Sequence, residues 1–221
     1  MQMTDRGLLT LVRHEGIVPG PYLDVKQVWT FGIGHTAAAG LPDPATMPRG
    51  MPVDLDAGIR EAFRVFRADL ARYEAAVLRA VKVPLEPHEF DALVSFHYNT
   101  GGIAKAALTR HLNAGERAAA AAAFMGWLKP AAILPRREAE RDLFATGRYP
   151  AGTIPIWSVD RIGRVDFSRP NRRLTENEAL ALLRPAGMPI PRPSVPAVTP
   201  EPAIGWLARL SAFFSTLNRK A

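Results

Sequence analysis

Leu8, Leu11 and Val12 fall on one face of a helix that Thr4 or Asp5 can cap and Gly16 can end. Glu15 shares that face. From residue 20 the period shortens: Trp29, Phe31 and Ile33 alternate with Thr30, Gly32 and Gly34, the spacing of a small antiparallel sheet whose Thr30 points away from the aromatic side. After a Pro/Gly/Met loop, Asp54 opens a long amphipathic helix to about residue 80, striped by Ile59, Phe63, Phe66, Leu70, Tyr73 and Val77. Shorter helical patterns follow near 87–98, 103–113, 116–128 and 135–146. The alanine run 118–123 reads as tightly packed helix. The pattern predicts an α+β fold, mainly α.

From Gly147 the texture changes. "TIPIWSVDRIGRVDFS" predicts two short strands around a Gly163 turn, and "TENEALALL" opens with a Thr175/Glu178 capping box, so residues 151–184 read as an appended hairpin and short helix after a main domain over 1–150. Seven prolines in 185–202 predict an extended linker. In 203–221, Trp206, Leu207, Leu210, Phe213, Phe214 and Leu217 share an arc bordered by Arg209, Arg219 and Lys220. That arc predicts an amphipathic helix able to lie in a membrane interface or to fold back on the domain, and Arg209 in its middle argues against a bilayer span.

The 221 residues, 48% hydrophobic, suffice for one substantial core. Cysteine is absent, which excludes disulfides, thiolate metal sites and a papain-like endopeptidase. Asp5, Arg6 and Arg13 interrupt the N-terminal leucines, so neither a signal peptide nor an N-terminal anchor is expected. The five histidines, at 14, 35, 88, 97 and 111, form no His-x3-His pair, so no metal is expected and a zinc amidase is disfavoured. A net charge of +7 and a pI near 10.2 predict attraction to a polyanion: nucleic acid, anionic lipid or a cell-wall polymer. No helix-turn-helix, zinc or base-stacking signature accompanies the charge, and a nucleic-acid partner is not expected.

The candidate chemistry lies in "RHEGIVPGPYLDVKQVWTFGIGHT". Glu15 ends an apolar helix face, where poor hydration and the negative end of the helix dipole favour a protonated carboxyl suited to general acid catalysis. A helix-terminal Glu pointing into water is the plain alternative. Asp24 and Thr30 flank a turn that can bring both to the same groove. An acid, a second carboxylate and a group to orient water are what glycosidic cleavage requires.

The Glu15, Asp24 and Thr30 spacing, followed by "GIGHT", resembles the phage-type lysozymes of glycoside hydrolase family 24. "HEG", "YLDVKQVWTFGIGHT", "FDALVSFHYNTG", "LNAG", "FMGW" and "RREAERDLFATG" follow in the order seen there, across about residues 5–150. The resemblance implies a lysozyme-like domain with the sheet beside a cleft and a helical lobe. It implies hydrolysis of the β-1,4 bond between N-acetylmuramic acid and N-acetylglucosamine in peptidoglycan for host lysis, with no cofactor. Glu15 would be the general acid, Asp24 the second carboxylate and Thr30 the positioner of water, which we expect to attack directly. Gly34 and Asn99 would meet substrate, Asn99 having helix capping as its plain alternative. His35 reads as a structural hydrogen bonder. Arg136 and Arg137 would support the site, one of them facing inward, with Glu138 and Glu140 as ordinary neighbours. Ile133-Leu134-Pro135 replaces the Gly-Leu usual before the arginine pair.

The resemblance further implies a holin-type pore for passage from the host cytoplasm to the periplasm and wall, and a monomer is expected. The alternative is a non-catalytic lysozyme-like wall-binding module of a phage or transfer particle.

Overall fold

The computed structural model describes residues 1–183; the linker and amphipathic helix expected over 185–221 lie outside the described residues. Helix α1 (Asp5–Glu15) begins where the Thr4 hydroxyl accepts from the Gly7 amide and ends at Gly16, whose amide donates to the Val12 carbonyl. Leu8, Leu9, Leu11 and Val12 are fully buried. Buried Asp91 anchors the start of α1: it accepts from the Thr4 amide at 2.9 Å and from the Tyr149 hydroxyl at 2.8 Å. Burial pushes the Asp91 carboxyl up, against these hydrogen bonds.

A three-stranded antiparallel sheet follows, in the order β1 (Val18–Leu23), β2 (Trp29–Gly32), β3 (His35–Thr36). Phe31 and Ile33 are buried as the alternation predicts. Trp29 departs from it: the ring is only half-buried, capped by the Arg49 guanidinium 3.5 Å from its centroid, and Gly163 approaches it so closely that a Cβ there would lie 2.7 Å from the ring. The sheet is too small to bury both faces, and later residues cover its outer ring.

Helix α2 (Leu55–Ala80), capped by the Asp54 side chain on the Ala57 amide, runs the length of the domain, packing against β1 and β2 and against α3 (Pro87–Thr100). Ile59, Phe63, Phe66, Leu70 and Val77 form its buried stripe. Helices α4 (Ala107–Asn113), α5 (Arg117–Ala123) and α6 (Leu134–Thr146) complete a helical lobe in which α6 packs on α3 and α5, and α5 on α4. Phe96 is its hub, with ring centroids of Phe124 and Trp127 at 5.5 and 5.3 Å. Such fully buried side chains contribute roughly 1.5–3 kcal/mol each.

The chain then returns to α1. Strand β4 (Ile154–Ile156) pairs with β7 (Arg172–Leu174), and β5 (Ser158–Val159) with β6 (Val165–Asp166). Helix α7 (Glu176–Leu183) starts at the expected box: Glu178 accepts from the Thr175 amide at 2.8 Å, and these bonds hold its carboxyl at about 2. Ile154, Ile156, Leu174, Ala179 and Leu182 join the core that holds Leu8 and Phe63. No helix among the described residues is long and apolar enough to cross a membrane.

Candidate active site

Gly16 sets the exit of α1. Its φ of +73° is costly for any residue with a Cβ, and a Cβ there would lie 2.6 Å from Trp157 Nε1. The chain therefore turns sharply after Glu15, leaving that side chain at the helix end. The structure corrects the expected apolar berth: the Glu15 side chain is 29% exposed, and its Oε1 accepts from Arg136 Nη1 at 2.6 Å. A helix terminus flares out of the core, so a shared face one turn earlier does not guarantee burial.

Asp24 organises the hairpin turn. Its Oδ1 accepts from the Lys26 and Val28 amides at 2.8 and 2.9 Å, and no protein donor among the described residues engages Oδ2. Thr30 pairs directly with Tyr22, so their side chains share one face, and Asp24 lies two residues beyond Tyr22. Thr30 is 3% exposed, and its hydroxyl donates to the Val28 carbonyl at 3.1 Å, leaving oxygen lone pairs to accept.

Two tyrosines that the motifs do not single out border these groups. Burial pushes the Tyr22 phenol up to about 12, reinforced by the negative charges of Asp24 and Glu15. Tyr98 is pushed up as well, by burial first and then by Glu15, and its hydroxyl donates to the Ile33 carbonyl at 3.0 Å. Gly34 follows, where a Cβ would meet that hydroxyl at 3.0 Å. Both phenols stay neutral at physiological pH. The period-two spacing from Tyr22 to Asp24 was the signal available for the first; nothing local marks the second.

Both arginines face inward, where one was expected. Arg136 is 8% exposed and Arg137 fully buried, and Glu140, read from sequence as an ordinary neighbour, is 1% exposed between them. Arg136 donates to Glu140 at 3.0 Å and to the Ser95 carbonyl at 3.3 Å; Ser95 Oγ donates to Glu140 at 2.7 Å. Arg137 Nη1 lies 2.7 Å from Glu140 Oε2, and its Nη2 donates to Asn99 Oδ1 at 2.8 Å. Pro135 sits in the first turn of α6, where its missing N–H costs nothing, so the departure at 133–135 leaves the arginines aimed inward. The i+3 and i+4 spacing from the arginines was the signal for Glu140.

A continuous polar chain thus runs from Glu15 through Arg136, Glu140 and Arg137 to Asn99. Asn99 is not a cap, since α3 ends at Gly101. It borders a hollow of about 390 Å³ with Thr100, Gly126, Trp127, Leu128 and Lys129. His35 is structural: Nδ1 lies 2.9 Å from Asp69 Oδ2 and Nε2 2.8 Å from the Pro42 carbonyl, so both nitrogens are occupied. His14 borders the arginines. Crowding by protein atoms, although part of the residue reaches solvent, and then the charges of Arg136, Arg137 and Arg13 hold its imidazole down at about 4. Among the described residues no cluster of His, Asp and Glu has metal-binding geometry.

A carboxyl group at a helix end, and a second carboxyl and a hydroxyl on the hairpin that follows, are the groups glycosidic hydrolysis uses. The phage lysozyme family profile matches residues 12–140. The endolysin of Salmonella phage P22 is 36% identical over 150 residues, covering 65% of this chain and 98% of that protein. The crystal structure of a P22 lysozyme mutant superposes with a TM-score of 0.57 at 32% identity, over 66% of this chain and 99% of that one. The muramidase domain of SpmX from Asticaccaulis excentricus gives 0.53 at 26% identity, over 66% and 98%. The chain belongs to the phage lysozyme family. It is a glycoside hydrolase of the endolysin type.

Proposed function

We propose that this endolysin cleaves the β-1,4 bond between N-acetylmuramic acid and N-acetylglucosamine in peptidoglycan, with Glu15, Asp24 and Thr30 as its catalytic residues. What supports this assignment is Glu15 at the end of α1, its Oε1 held by Arg136 Nη1 at 2.6 Å, with Asp24 and Thr30 on the hairpin that follows. Arg136 occupies Glu15 Oε1, leaving Oε2 to hand its proton to the oxygen that departs with one sugar. Asp24 Oδ2 accepts from a water, and the Thr30 hydroxyl oxygen provides that water's second hydrogen-bond partner. The water attacks C1 as the bond to the leaving oxygen breaks, Asp24 takes the water's proton, and the anomeric configuration inverts. Asn99 and Gly34 line the sugar path, the former through its free amide nitrogen.

The decisive test is E15Q with purified sacculi. We expect loss of reducing-end release by at least about a hundredfold, the scale of a general acid, with an unchanged melting temperature. Activity retained by E15Q would overturn the assignment of the acid. NMR of the first product is expected to show the inverted anomer; a retained one would replace direct water attack by a covalent intermediate on Asp24.

We further propose that the protein acts as a monomer and reaches the wall from the host cytoplasm through a separate holin-type pore, with residues 203–220 touching the membrane surface. Liposome co-sedimentation of the full chain against one ending at Arg184 tests that contact, and equal binding would remove it.

A further inference from the structure

Residues 151–183 lie past the family match, which ends at residue 140, yet they are built against the catalytic elements. Ile17 N donates to the Pro155 carbonyl at 3.0 Å and Trp157 N to the Ile17 carbonyl at 2.8 Å, placing the Trp157 ring against Gly16, one residue from Glu15. Leu23 N donates to the Gly163 carbonyl at 2.8 Å, so the β5–β6 hairpin lies beside the β1–β2 hairpin that carries Asp24. Trp157 meets Phe167 edge-on at 5.3 Å, and Phe167 is 66% exposed. One edge of the pair is packed by Trp157, and the outer face of the Phe167 ring is open to a ligand.

Polar groups surround the pair. Ser158, Asp166, Arg169, Pro170 and Asn171 line a hollow of about 370 Å³ next to Phe167. The acids of this segment are spent locally: Asp160 caps the Ile162 and Arg164 amides, and Asp166 accepts from Ser168 N and Oγ. The guanidinium groups of Arg161, Arg164 and Arg169 make no hydrogen bond or salt bridge within the described residues, and the charge of Arg169 acts on Asp166 across the hollow they share. An exposed ring backed by a half-buried one, beside guanidinium groups held in no salt bridge, matches a ligand with apolar pyranose faces and carboxylates, since C–H faces of sugars pack on rings and guanidinium binds carboxylate in a fork.

We propose that residues 154–171 form a second substrate-binding surface, beside Gly16 and the hairpin that carries Asp24, on which Phe167 and Trp157 pack a sugar ring of the wall strand and Arg169 holds a stem-peptide carboxylate. This rests on the peptidoglycan reading above. It extends the hold on the acidic glycopeptide beyond the sugars being cleaved, through a segment outside the family match.

The test uses the full chain carrying E15Q, so that binding is read without cleavage. F167A and R169A are chosen because both side chains are exposed, whereas Trp157 supports Gly16. The probes are intact sacculi, sacculi stripped of stem peptides by an amidase, and vesicles of anionic phospholipid. F167A is expected to weaken binding to both wall preparations about three- to tenfold, and R169A to weaken it by a similar factor for intact sacculi alone. In the active chain both raise KM and leave kcat unchanged. Wild-type binding by the F167A/R169A pair overturns the proposal, as does a loss confined to vesicles, which would assign the surface to lipid. If the native chain fails to cleave sacculi, the catalytic reading falls, while binding by the E15Q chain still decides this one.

Discussion

Glu140 shows how much one side chain can hold. It is buried between two guanidinium groups, one of which bonds the Glu15 carboxylate while the other grips Asn99 beside the Trp127 hollow. Removing one partner of a buried ionic set leaves charge without compensation, so E140A is expected to cost about 3–5 kcal/mol in urea unfolding and to lower kcat as Arg136 loses its anchor. Burial holds the Glu140 carboxyl up and the Arg137 guanidinium down, each opposed by the other's charge. Glu15 illustrates the limit of reading such residues from a helical wheel: its face was legible, its exposure was not, because that depends on Arg136 arriving from a residue more than a hundred positions later.

His14 makes a pH-dependent contribution with a definite sign. Its imidazole is held at about 4, below the ordinary 6.5, by crowding and then by Arg136, Arg137 and Arg13. The unfolded chain therefore binds a proton between those values that the folded chain refuses. Stability from neutral His14 is complete above 6.5 and is lost as pH falls toward 4. H14Q is expected to flatten that part of the profile of melting temperature against pH; an unchanged slope would assign the acid lability elsewhere.

Among the elements, α1 is bound at both ends by side-chain chemistry. Thr4 caps the Gly7 amide and meets Asp91, so T4A is expected to cost about 1 kcal/mol for the cap, and more where Asp91 loses a donor, measured by denaturant titration. At the other end, G16A combines a φ of +73° with contact against Trp157, and we expect roughly 1–3 kcal/mol of destabilisation together with reduced activity, because Glu15 is displaced. These caps, the α2 stripe and the Thr175/Glu178 box could be read directly, since helix starts and apolar faces are local properties of spacing. The breaks between α3 and α6 were blurred, since short turns there are set by packing around Phe96 rather than by breakers alone.

For the molecule as a unit, residues 151–183 share the core of residues 1–150, and Arg13 donates to the Pro150 carbonyl at 2.8 Å and to Glu176 at 2.9 Å. A chain ending at residue 150 is expected to expose the apolar surface that Ile154, Ile156 and Leu182 cover and to lose its cooperative melting transition; a transition matching the full chain's would show that segment to be dispensable. The charge of +7 belongs to this level too. Attraction to an anionic wall weakens as salt shortens the Debye length, so sacculus binding is expected to fall between low and physiological ionic strength.

The pattern of residues carried the mainly helical class, the sheet and the caps, and it proposed the Glu15, Asp24 and Thr30 set, because periodicity and motif spacing are written along the chain. Three matters depended on the folded chain. Glu15 is paired and partly open rather than sequestered; both arginines turn inward onto Glu140; and the Tyr98 hydroxyl reaches the Ile33 carbonyl from α3. Each of these depends on contacts between segments distant in sequence, where desolvation and charge are settled by whatever arrives from elsewhere, and no local spacing records that arrival.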